Sequence, residues 1–112
     1  MKIRLNYVSN SSSSSFCLLG VVIKDDANFD ADAVFNYLDT NKKVPLILEY
    51  GMEVYPESYV LGAGITDMRD DETLGQFRNR TLKALKQTNK DLRLGLNLNK
   101  DSVLWRVDGG FR

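Results

Sequence analysis

The sequence contains no histidine and a single cysteine, Cys17. The first absence removes the side chain that most often moves protons or binds metals near neutral pH. The second forbids an internal disulfide, and the two together forbid a Cys/His zinc site. No apolar run approaches the roughly 20 residues that a membrane helix needs. Net charge is missing too, because 15 basic and 15 acidic side chains cancel. Without it there is no long-range pull toward phosphate backbones or anionic lipid. Nucleic acid and membrane are therefore not expected partners, and no cofactor is called for. Any catalysis would have to run on carboxylates, lysines, tyrosines or hydroxyls. Serines separate the charged start Met1 to Arg4 from the apolar run Phe16 to Ile23, and no small-residue cleavage site follows. No targeting segment is expected.

What is present is 112 residues with 43% apolar content, the size and composition of one globular domain. Residues 1–15 divide from the rest as a short strand over Lys2 to Val8 and a serine-rich arm, leaving 16–112 as the domain proper. Phe16 to Ile23, rich in β-branched residues, predicts a central strand buried on both faces. Asn28 or Asp30 caps a short helix carrying Ala33, Val34, Tyr37 and Leu38 at helical spacing. Asn41-Lys42-Lys43 and Pro45 end it. Leu46 to Tyr50 predicts a strand. Met52 to Tyr55 and Ser58 to Leu61 are extended around Pro56, and Gly62-Ala63-Gly64 is a flexible turn.

A longer helix follows. Asp70, Asp71 and Glu72 are placed in its first turn and Lys83, Lys86 and Lys90 toward its end, both favourable to the helix dipole. Its inward stripe is Leu74, Phe77, Thr81, Leu82 and Leu85. Leu92, Leu94, Leu96 and Leu98 then alternate with polar residues, and Val103, Trp105 and Val107 alternate again. The pair predicts a C-terminal β-hairpin. The fold class expected is α+β: two helices packed on a mostly antiparallel sheet, with a ferredoxin-like sandwich as the arrangement that satisfies this order.

The functional candidates compete with structural roles. The run Ser11, Ser12, Ser13, Ser14 and Ser15 offers a cradle for an anion, acceptors for a modification, a partner contact, or a solvated linker. It has no glycine to let a phosphate approach, which weakens the first. Asp67, Asp70, Asp71 and Glu72 form a possible oxygen site for a metal, without the ordered spacing of a calcium loop. Helix capping accounts for all of them except Asp67. Gly62-x-Gly64 lacks the lysine of a phosphate loop and is followed by aspartates. Cys17, inside the most apolar segment, is expected to be a small buried hydrophobe. Trp105 with Tyr50, Tyr55 and Tyr59 is a possible platform for a partner, or core. Arg78, Arg80, Lys83 and Lys86 make a basic stripe that a solvated helix face also explains.

Two segments carry a resemblance. Met1-Lys2-Ile3-Arg4-Leu5-Asn6-Tyr7-Val8-Ser9-Asn10, followed by the serine run and Phe16, resembles the opening of small uncharacterised proteins of tailed bacteriophages. Ile65 to Arg80 is similar to a helix start in some of the same proteins. The resemblance implies a phage origin and expression in the cytoplasm of an infected bacterium; it implies no known activity. The expectation is then a non-enzymatic accessory protein that binds a host or phage protein, as an inhibitor or takeover factor. The alternatives are a small metal-dependent or nucleotide-binding enzyme using residues 67–72, and a self-assembling component that forms a homodimer by edge pairing.

Overall fold

Alternation within Phe16–Lys24 sends Leu19, Val21 and Ile23 to one face, and this strand, β1, becomes the middle of the sheet. The computed structural model describes residues 16–51 and 54–108. The expected strand at Lys2 to Val8 and the serine arm lie outside them. After β1 come helix α1 (Ala31–Thr40), strands β2 (Ile47–Tyr50) and β3 (Ser58–Gly64), helix α2 (Leu74–Leu92) and strand β4 (Leu104–Asp108). The sheet order is β2-β3-β1-β4, with every neighbouring pair antiparallel. The domain is α+β, two helices on a four-stranded antiparallel sheet. Along the chain the elements run strand, helix, two strands, helix, strand.

Both helices pack on the face of β1 that carries Leu19, Val21 and Ile23. One cluster joins those side chains to Val34, Phe35 and Leu38 of α1, Phe77, Leu82 and Leu85 of α2, and Leu48, Leu61 and Val103. Each such side chain contributes roughly 1.5–3 kcal/mol when fully buried. α1 starts where Asp30 accepts the Ala33 N–H, and ends where Asn41 returns its backbone and side-chain N–H groups to the Tyr37 carbonyl.

Four expectations need correction. Gly62-Ala63-Gly64 is no turn; it is the end of β3, with Gly62 opposite Gly20. A Cβ on either glycine would run into the other strand's backbone, so the glycines permit close approach rather than flexibility. Asp70, Asp71 and Glu72 lie ahead of α2, not in it. Thr73 is the N-cap, in a reciprocal capping box with Gln76. Leu74 is exposed at the first helical position and leaves the inward stripe to Phe77, Thr81, Leu82, Leu85 and Thr88.

The fourth concerns the C-terminal hairpin. Its second strand exists as β4, but it pairs with β1; Leu92 is the last residue of α2, and 94–99 forms no ladder. Arg93 in the left-handed region, φ 53°, ends the helix. Asn89 then does a strand partner's work for the segment: its Oδ1 accepts the Leu96 N–H at 2.9 Å, and its Nδ2 donates to the Leu96 carbonyl at 3.1 Å. Leu94, Leu96 and Leu98 still turn toward the core, so the alternation is real although the strand is not.

Candidate functional site

The acidic cluster is the natural place to look for chemistry, and its geometry is that of a clasp. Glu72 is followed eight residues later by Arg80, on the second turn of α2. Arg80 Nε donates to Glu72 Oε2 at 2.9 Å, and Nη2 donates to Oε1 at 2.8 Å. The same Nη2 donates to the Asp67 carbonyl at 2.7 Å, and the guanidinium lies 5.3 Å from the centre of the Phe77 ring. The Arg69 N–H donates to Glu72 Oε1 at 3.1 Å. Charge-assisted, bidentate contacts of this kind are the strong ones. The Arg80 guanidinium, helped by the Arg69 N–H, lowers Glu72 to about 2 against the opposing effect of burial, and Glu72 raises Arg80 in return.

A carboxylate so committed is a weak base, and both its oxygens are occupied. Asp67 joins the clasp through its backbone, while the Asp67, Asp70 and Asp71 residues are exposed. Among the described residues, no group of three or more carboxylates and thiols comes together to hold a metal ion. Capping does not explain Glu72 either; its job is to tie the 65–73 connection to α2.

The other sequence candidates scatter. Ser11, Ser12, Ser13, Ser14 and Ser15 lie outside the described residues. Trp105 faces the core on β4, half-buried opposite Leu19, with its ring 6.4 Å from that of Phe77. It forms no exposed platform. Tyr59 meets Tyr50, Phe29 and Phe35 at ring separations of 5.0, 5.3 and 6.4 Å, and burial pushes its hydroxyl upward. Cys17 is exposed, contrary to expectation: it shares the helix-side face of β1 but lies at the strand's start, beyond Leu19. The basic stripe loses Arg80 to the clasp and keeps Lys83 and Lys86 in solvent. Tyr37 donates to Asp91 at 2.6 Å, which joins the two helices and raises the Tyr37 hydroxyl.

What the sequence did not point to is a cleft of about 310 Å³ beside the last residues of β1. Its floor is Val22, Ile23 and Lys24. One wall is the entry to α1, through Phe29, Asp30 and Ala33; the other is the segment Leu92 to Leu96. β4 pairs with β1 only as far as Gly20, so β1 runs on alone along this side. The Gly20 carbonyl accepts Arg106 Nε at 3.1 Å. Beyond it, Asp25 donates to Glu57, which fixes the odd-numbered positions of β1 toward β3. The N–H and C=O groups of Val22 and Lys24 therefore point into the uncovered side. Among the described residues they meet no partner. No single motif marks such a place, because it arises from where β4 stops.

The chain matches no family model, no curated protein and no solved structure. Among the described residues, no helix is long and apolar enough to cross a membrane.

Proposed function

We propose that the chain is a phage accessory protein that acts in the cytoplasm of the infected host by binding another protein, of the host or of the phage, and not by turnover. The observation that carries this reading is the unfinished sheet. Among the described residues, the far end of β1 runs on past β4 with backbone donors and acceptors that nothing pairs, whereas in the acidic cluster the Glu72 carboxylate is held by Arg80. Unpaired strand edges are where extended partners add. The resemblance of the opening to tailed-phage proteins supports the phage setting.

Affinity purification of the tagged chain from infected cells tests the reading. A partner recovered in stoichiometric amount is expected. No protein above background, together with turnover of a nucleotide in magnesium, would replace binding with the enzymatic alternative.

One observation favours self-assembly as a second reading. Leu104 opens β4 on the outer edge and is 46% exposed. Edge-to-edge pairing of two copies would cover it. Light scattering that reports a concentration-dependent dimer, abolished by Leu104→Lys, would support this reading; a monomer at high concentration removes it.

A further inference from the structure

We infer that the cleft beside the open end of β1 takes a short, extended, apolar segment of a protein partner, which adds to the sheet as a strand. The inference rests on the protein-binding reading and specifies its site and the partner's chemistry. The stretch Val21 to Lys24, paired with β3 but past the end of β4, spans roughly 13 Å at about 3.3 Å per residue, room for a few partner residues. Val22 and Lys24 present a donor and an acceptor each, two residues apart, the spacing at which one strand edge pairs with another. Leu92, Leu94, Leu96 and Phe29 give the walls an apolar surface for alternate side chains of the guest. The charges at the mouth balance, with Lys24 and Arg93 against Asp26 and Asp30. A polyanion or a strongly basic tail gains nothing there, whereas an uncharged segment meets a neutral rim. The wall formed by 92–96 is held in place by Asn89, so the cleft is preformed rather than opened by its guest.

The test uses the full chain and a displayed library of short linear peptides. Selected peptides are expected to be apolar and extended, and to shift the Val22 and Lys24 amide signals in NMR spectra while those of Val21 and Ile23 stay in place. Val22→Pro removes one donor without touching the β3 ladder, and Ala33→Glu places a charge in the apolar wall. Each is expected to weaken binding by about tenfold or more, the loss of one well-made contact. Peptides that leave Val22 and Lys24 unmoved, a library that yields no binder, or affinity unchanged in both variants overturns the inference. So does protection of those two amides in the free protein, which would mean that the chain itself fills the place. The two readings separate cleanly: a lysate partner captured equally by wild type and both variants keeps protein binding and removes the cleft. Peptides seated at Val22 and Lys24 without any lysate partner do the reverse.

Discussion

The two flanks of β1 are built to different standards. Toward β3 the strand is paired from Leu18 to Lys24, and the facing glycines Gly20 and Gly62 draw the backbones together. Toward β4 pairing runs from Phe16 to Gly20 and stops, and the chain on that side turns through Lys100–Ser102 instead of continuing the ladder. The same strand therefore carries both the rigid spine of the domain and an edge left open. Stability belongs to the first flank and the proposed recognition to the second, so substitutions on the two should separate the properties.

The largest effect is expected on the closed flank. Gly62→Val places side-chain atoms inside the space of the Leu19 and Gly20 backbone, and should cost about 3 kcal/mol or more in urea denaturation. Asn89→Ala should come next. It leaves the Leu96 N–H and C=O without their partner and frees the segment that walls the open flank, for a cost of about 2 kcal/mol. Amide exchange across 94–98 should quicken in that variant while β1 and β3 stay protected.

The clasp at 65–73 sharpens the contrast, because it is held by charge where the 93–99 segment is held by a neutral amide. Glu72 lies at about 2 in the folded protein and at an ordinary 4.5 when unfolded. At low pH the unfolded chain binds the extra proton. The clasp's contribution is thus complete above about 4.5 and fades as the pH falls toward 2. Wild-type stability should drop through that window, and Glu72→Gln should flatten the drop; Asn89→Ala should leave it intact. Thermal melts at stepped pH read this directly.

The smallest stability effect is expected from Val22→Pro. Its lost N–H faces the open side, so the variant should sit within about 1 kcal/mol of wild type. A cost as large as that of Gly62→Val would place a missing partner on that flank and erase the difference between the two.

Where side chains follow a period, the sequence could be read. The β-branched run of β1, the capped amphipathic α1, the inward stripe of α2 and the alternation of Val103, Trp105 and Val107 all led to real elements and to the α+β class. Three of the failures share one cause, a partner elsewhere in the chain. Gly62 read as part of a turn because the strand that needs it free of a side chain, at Leu19 and Gly20, lies some forty positions earlier. The leucines at 94–98 read as a strand because an extended segment pinned by Asn89 has the same alternation. Glu72 read as a helix cap because Arg80 must wrap back onto it before its role is visible. The cleft had no signature, since it depends on where a neighbouring strand stops.

Amide hydrogen exchange along β1 of the free protein tests the difference between the flanks most directly. Val21 and Ile23, bonded to β3, should be strongly protected, while Val22 and Lys24 in the same strand should exchange at close to unprotected rates. Uniform protection from Val21 to Lys24 would contradict the open flank and, with it, the site assigned to the partner.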